Sequence, residues 1–425
     1  MSSKRNKSAI ADAAFYTGGS TAAVLLLVVL PATVLLIFLV GILKFVAVDS
    51  GPTLVAGFDV PDARTGGFDF KAIPAWPSAS ADLSGDFRDT EPFLLGLYTP
   101  DAKVSYPVNY WSAEHKLGAK FRVVALYQAW GPLSLTSFPD TLLKQVWHYG
   151  AIPLITWEPW TSTFPDFRSD PNLSRDRRVF DSIVQGRLDR YIAAYAQRLR
   201  DYHRPVLLRF AHEPDNPGYP WSVRGGNTPD EYVAAWRHVV NLFRSEGASN
   251  VTFVWNPWHP EAVQRYFPGA RYFDWFGLTL LNYGRAYRNG KWCSFDELYK
   301  PFSAEFGKLG IDKPTMLVEF GSTAYGGSRA KWLGDAMDSI ATRHPEIRGA
   351  VFFHSCDPRW PGRWRPPGNA HCIDWTFLGD SAAVGILHPI LSRPHFHEPM
   401  LLRSIAPVDR RQAAQADHRP QGNAG

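Results

Sequence analysis

Charge is absent from 31 consecutive positions of this chain, 13 to 43, between Asp12 and Lys44. Elsewhere charge is present but nowhere massed. There is no run of five or six basic residues and no internal repeat, which speaks against a nucleic-acid partner despite a net charge of +5. No glycine-rich phosphate motif follows the first strand-like run, so a dinucleotide-binding open sheet is disfavoured. No G-x-S-x-G elbow occurs. "HEPDN" (212–216) lacks the second histidine of H-E-x-x-H, and Pro214 would break a helix there. No metal or cofactor is expected. Cysteine is scarce, at three residues.

What the uncharged stretch does contain is "AAVLLLVVLPATVLLIFLVGIL". About 20 apolar residues span a bilayer, whereas the apolar part of a signal peptide runs to only ~7–15. The sequence therefore predicts a transmembrane anchor over 21–43, with a cytoplasmic N-terminus over 1–20. Lys4, Arg5 and Lys7 precede the anchor and only Lys44 follows closely, so the positive-inside rule puts the rest outside. Cleavage after the apolar run, for which "FVAVDSG" offers a weak site, would release a secreted protein instead. Residues 49–90 are rich in Gly, Pro, Ser and Asp and read as a linker, and 404–425 read as a disordered tail.

Between them, over 91–400, short apolar runs alternate with amphipathic stretches. The runs are "FLLGLY" (93–98), "FRVVALYQ" (121–128), "IPLITW" (152–157), "PVLLRFA" (205–211), "VTFVWN" (251–256), "WFGLTLL" (275–281), "PTMLVEF" (314–320) and "GAVFFHS" (349–355). Helical candidates fall at 139–150, 186–203, 228–247, 294–310 and 328–346, with Asn227 or Thr228 as an N-cap before Pro229. Eight such runs with intervening helices predict an α/β fold, a (β/α)₈ barrel; a doubly wound open sheet is the rival.

In such barrels chemistry gathers where strands end at the C-terminal face. Polar and aromatic residues recur there: Gln128 and Trp130, Trp157 and Glu158, His212 and Glu213, Asn256 and Trp258, Asn282 and Tyr283, Glu319, then His354 and Asp357. Taken singly, Glu158 reads equally as a solvated loop acid and His354 as a core histidine. The 16 tryptophans likewise serve either as stacking platforms for sugar rings or as a large aromatic core. Glu213 and Glu319 stand out, because each directly follows an apolar run, where an acid is costly unless paired or used. Two carboxylates facing across a pocket are the machinery of glycoside hydrolysis. The alternative is a pair of structural ion pairs with Arg209 or a similar cation.

From about 91 to 390 the chain resembles glycoside hydrolase family 26, of the retaining (β/α)₈ clan. The resemblance is carried by "ITWEPW", "LLRFAHE...YPW", "NTPDEYVAAWRHVVNLFRSEGASNVTFVWNP", "KPTMLVEFGSTAYGGSRAKWLGDA" and "IRGAVFFHS". It implies Glu213 as acid/base with His212 beside it, and Glu319 as nucleophile. Trp157 and Glu158 match part of the pocket on the glycone side, and Trp221, Trp255 and Trp258 match subsite or wall residues. His354 is a further rim candidate for binding substrate, and Arg209 or Tyr283 would steady the nucleophile. Implied substrates are mixed-linkage β-glucan, β-mannan or β-xylan, with "SFDELYKPF" and "GGSRAKW" nearest the lichenase-like branch.

Two departures stand out. Pro214, Asp215 and Asn216 replace the family's Met-Asn-Gly, adding the charge of Asp215 near the acid/base. Leu281 takes the place of a tyrosine that hydrogen-bonds the nucleophile, with Tyr283 two residues on. Two functions therefore stay open: a membrane-anchored endo-β-glycanase, and a non-catalytic carbohydrate-binding or scaffold protein of a polysaccharide synthesis or export system. An outside location allows disulfides. Cys356 and Cys372 bracket one loop and are expected to pair, with Cys293 free.

Overall fold

A computed structural model describes residues 93–102, 106–131, 138–164, 177–286, 290–357 and 372–397. The expected anchor over 21–43, its flanks over 1–20 and 49–90, and the tail over 404–425 lie outside the described residues. Among the described residues no helix is long and apolar enough to cross a membrane.

Eight parallel strands close into a barrel: β1 Leu94–Tyr98, β2 Val123–Ala129, β3 Ile152–Glu158, β4 Val206–Phe210, β5 Val251–Trp255, β6 Trp275–Asn282, β7 Thr315–Ser322 and β8 Ile347–Phe353. β8 returns to pair with β1, Leu94 opposite Gly349. Each of the eight apolar runs became a strand within two residues of its ends. Helices follow the strands: α1 Val108–Leu117, α2 Asp140–His148, α3 Val179–Val184, α4 Asp189–Tyr202, α5 Pro229–Ser245, α6 Val263–Tyr266, α7 Phe295–Leu309, α8 Arg329–Arg343 and α9 Ser381–Leu391. Of the two N-cap candidates before Pro229, Thr228 is the cap: its hydroxyl accepts from Glu231 N, and Glu231 reaches back to Thr228 N. The helices α1, α3, α6 and α9 lacked a strong enough period to be read from the sequence.

Alternation sorts every strand into two faces. Leu94, Val123, Ala125, Ile152, Leu154, Leu207, Val254, Trp275, Met316 and Val351 fill the barrel interior. Val124, Leu126, Ile155, Leu208, Phe276 and Phe352 face the helices in a second, larger core. Two strands break the rule: β8 carries an extra residue between Ile347 and Gly349, which oppose Thr315 and Met316, and β7 carries another. In β7 the register slips by a residue, since Leu278 opposes Leu317 but Thr279 opposes Glu319, with a matching slip against β8. Such a bulge re-aims side chains. It lets Val318 stay in the interior packing while the next residue, Glu319, also points inward.

Candidate active site

Above the interior apolar layers, inward positions of six strands turn polar: Tyr127, Thr156 and Glu158, Arg209, Asn256, Thr279 and Glu319. Arg209 is the hub. Only 1% exposed, its guanidinium donates to Thr156 Oγ1 (2.9 and 2.7 Å), Asn256 Oδ1 (2.9 Å), Tyr127 OH (3.2 Å) and Glu319 Oε1 (2.7 Å). Burying a charge is costly unless its hydrogens are used, and here they are. Burial loosens the arginine's proton, but Glu319 and Tyr127 more than reverse that, so the cation is retained. Gly277 makes room beside this cluster, because a Cβ there would come within 2.7 Å of Val254 and 3.2 Å of Asn256. Tyr127 OH donates to Glu319 Oε1 at 2.5 Å, so one carboxylate oxygen takes two strong donors.

The chain leaves β4 through a strained turn that aims the second carboxyl. Ala211 and Glu213 both have positive φ, 40° and 50°. Residues with a Cβ hold that conformation only when neighbours enforce it. Ala211 N donates to Trp157 O (3.1 Å) and Glu213 N to Asn256 O (2.9 Å), tying the turn to both flanking strands. Glu213 is 4% exposed. Burial first, then the charge of Glu319, push its pKa up to about 7, with Thr279, Asn216 and Arg209 pulling the other way. Two glutamates thus share one cleft in unlike settings: one is gripped by a cation and a phenol, the other keeps its proton to near neutrality.

The remaining expected residues divide. Glu158 is half-buried at the end of β3 and accepts from Trp160 Nε1 (3.0 Å). Trp258 is half-buried after β5, its ring 3.8 Å from that of His259. His212 is wholly buried, with Nε2 2.8 Å from Tyr219 OH. Four expectations are corrected. Trp157 and Trp255 lie one position before the inward Glu158 and Asn256, so alternation sends them to the outer face. Trp157 packs on Trp130 and Tyr195, and Trp255 on Phe267 and Phe273. Trp221 has no exposed surface; it stacks on Tyr219 at 4.4 Å and donates to His212 O (2.9 Å). His354 borders a cavity of about 440 Å³ with Thr99, Asn109 and Lys116, whose lining includes neither glutamate. Its Nδ1 accepts from Phe377 N (3.1 Å), and burial lowers its pKa to about 4.

Tyr283 meets Trp375 edge-on at 4.7 Å, and the donors to Glu319 Oε1 are Tyr127 and Arg209. Of the wider rim, Gln128, Trp130 and Asn282 are buried, and Trp130 joins the outer core; the side chain of Asp357 lies outside the described residues. Asp215 is not beside Glu213 in effect. It accepts from Trp258 N (2.8 Å) and His259 N (2.9 Å) and fixes the next loop. Cys356 and Cys372 are bridged, with Cα atoms 5.3 Å apart, and Cys293 is free.

Several residues at the site had not been singled out. Tyr127 sits at the inward parity of β2, two positions after Ala125, a signal the sequence did carry. Tyr98, Tyr127 and Tyr283 pack on Leu281, Phe353, Ile373 and Trp375. Trp160 and Tyr219 line a groove of about 380 Å³ with Pro220 and Arg224; both rings are partly exposed, which suits contact with a ligand.

Similar folds occur in a modular endo-β-1,4-mannanase from Cellulomonas fimi (15% identity, 78% of this chain and 79% of that one, TM-score 0.54). A family 26 β-mannanase from Bacteroides ovatus is comparable (15% identity, 74% and 92%, TM-score 0.51). At that identity the likeness is one of fold. Endoglucanase H of Acetivibrio thermocellus is 33% identical over 219 residues, 49% of this chain and 22% of that protein. A β-1,3-xylanase from a Vibrio species is 28% identical over 123 residues, 26% and 25%. The chain spans about a quarter of the length of these curated relatives. The profile of Glycosyl hydrolase family 26 matches residues 142–321, a span holding both glutamates, Thr156, Arg209 and Asn256, and over that span the chain is similar to that family.

Proposed function

We propose that this protein is a membrane-anchored, retaining endo-β-glycanase. The observation that carries the reading is the unlike pair: Glu213 protonated to about pH 7 in the cleft where Arg209 and Tyr127 grip Glu319. In the first step Glu319 attacks the anomeric carbon as the glycosidic bond breaks, and the proton of Glu213 goes to the departing oxygen. In the second step Glu213, now a carboxylate, takes a proton from water, which attacks the same carbon and releases Glu319. His212, Trp221 and Tyr219 hold the Glu213 turn, and Trp160, Tyr219, Glu158 and Trp258 line the approach.

The substrate we infer is β-glucan. The endoglucanase relative shares 33% identity against 28% for the xylanase, and the mannanases share only fold. Reducing-end release from mixed-linkage β-glucan, β-mannan and β-xylan tests this, with Glu213→Gln and Glu319→Gln as controls. Binding to the panel without release in the native protein would favour the non-catalytic export-scaffold reading instead.

The anchor over 21–43 with its N-terminus inside belongs to the same proposal. The Cys356–Cys372 bridge supports it, because disulfides persist in oxidising compartments. A C-terminal phosphatase fusion should be active and a cytoplasm-dependent fluorescent fusion dark; the reverse would overturn the orientation.

A further inference from the structure

We propose that Tyr127 is a positioning residue for Glu319, deciding which oxygen of that carboxylate is held and which attacks. The inference rests on Glu319 being the nucleophile. Oε1 accepts from Tyr127 OH at 2.5 Å and from Arg209 Nη2 at 2.7 Å. Among the described residues no hydrogen bond reaches Oε2. The two donors come from different strands, β2 and β4, so they fix the carboxylate plane as well as its position. Arg209 alone would leave the group free to rotate about a single contact. With Oε1 doubly held, Oε2 is the atom presented to an anomeric carbon.

The phenol is itself held in place. It accepts from Arg209 Nη2 at 3.2 Å, which directs its own hydrogen to Glu319. Its ring meets Tyr98 edge-on at 5.0 Å and His212 at 5.8 Å, so it cannot swing away without disturbing the floor of the cleft. Burial, then the charge of Glu319, keep the phenol protonated well beyond its ordinary range, so it serves as a donor and not as a base. A neutral donor also orients the carboxylate without adding a second cation that would blunt its attack. When Oε2 forms its bond to the sugar, Oε1 becomes the ester carbonyl oxygen, and the phenol still has an acceptor to hold.

The test is Tyr127→Phe, which removes the hydroxyl and keeps the ring. A 2,4-dinitrophenyl 2-deoxy-2-fluoro-β-cellobioside needs no proton from Glu213 and leaves its sugar on the nucleophile. Its labelling rate constant and its dissociation constant are measured separately. Losing one hydrogen bond to a charged group predicts a roughly ten- to hundredfold slower labelling step. Affinity should stay within about twofold. The basic limb of the kcat/KM profile should stay where Glu213 sets it, near pH 7. Tyr127→Leu, without ring or hydroxyl, reports the packing share: the Phe variant should melt like the native protein yet label as slowly as the Leu variant. An unchanged labelling rate in Tyr127→Phe, or a loss confined to affinity or melting temperature, overturns the proposal. If native protein is not labelled, or is labelled away from Glu319, the functional reading itself fails.

Discussion

Asn216 Nδ2 donates to Oε2 of Glu213 at 2.6 Å, and it is this amide, not the adjacent Asp215 carboxylate, that touches the proposed acid. The bond favours the ionised form of Glu213 and so opposes the burial that raises its pKa. Removing it should raise that pKa further. Asn216→Ala is therefore expected to move the basic limb of the kcat/KM profile to higher pH than the native value near 7. A limb that moved to lower pH would show that Asn216 does not stabilise the carboxylate.

The same raised pKa has a consequence for folding. Glu213 binds its proton more tightly when folded (about 7) than at its ordinary value of 4.5. Between those pH values the native state holds more protons than the unfolded state, so its contribution to stability falls as pH rises. Glu213→Gln removes this slope. Urea unfolding at several pH values should show the variant gaining on the native protein from about pH 4.5 to 7. His354 acts in the opposite sense: burial lowers its pKa to about 4, so stability is lost as pH falls from 6.5 towards 4. Equal slopes in native protein and Glu213→Gln would mean that Glu213 does not titrate as described.

Asp215 ties two loops of the cleft together. Its carboxylate accepts from Trp258 N and His259 N and lies 3.2 Å from His259 Nδ1. Asp215→Ala leaves two backbone donors without that acceptor, at a cost of about 1–3 kcal/mol if they stay buried. Trp258 should lose its fixed position, raising KM for polymer more than it lowers kcat. An unchanged KM on β-glucan would remove Trp258 from the substrate path.

The barrel was legible because continuous apolar runs of strand length, eight times over, have few other uses. The two glutamates were legible because each interrupts such a run. What misled was adjacency: Trp157 next to Glu158 and Trp255 next to Asn256 look like shared pocket walls, yet a strand sends neighbours to opposite faces. Glu319 escapes the same rule only through the β7 bulge, which no residue type in "TMLVEF" announces. Tyr127 was passed over for Gln128 although the parity set by Ala125 favoured it. The Ala211 and Glu213 backbone conformations belong to residues that rarely adopt them, so only the fold reveals them.

Trp157 offers a direct check on that correction. Buried among Trp130, Tyr195, Phe210 and Phe243, it should matter for stability and not for binding. Trp157→Ala should cost roughly 3–5 kcal/mol of unfolding free energy. The folded fraction at low temperature should keep its native KM. A selective rise in KM without loss of stability would return Trp157 to the pocket wall.

Stereochemistry decides the roles of the two carboxyls. With Glu213→Ala and an aryl glycoside whose leaving group needs no proton, Glu319 should still take up the sugar. The next step then stalls, because no base remains to activate water. Azide needs no such base, so it should restore turnover by attacking the Glu319-linked sugar. Two inversions leave a β-glycosyl azide. In Glu319→Ala the carboxylate that attacks is gone, and with it the charge that helps to raise the Glu213 pKa, although burial still holds that pKa up. Azide then displaces the leaving group directly, and the single inversion gives the α-azide. Proton NMR of the azide products reads the configuration. The same anomer from both variants, or native activity in either, would mean that Glu213 and Glu319 do not divide the work in this way.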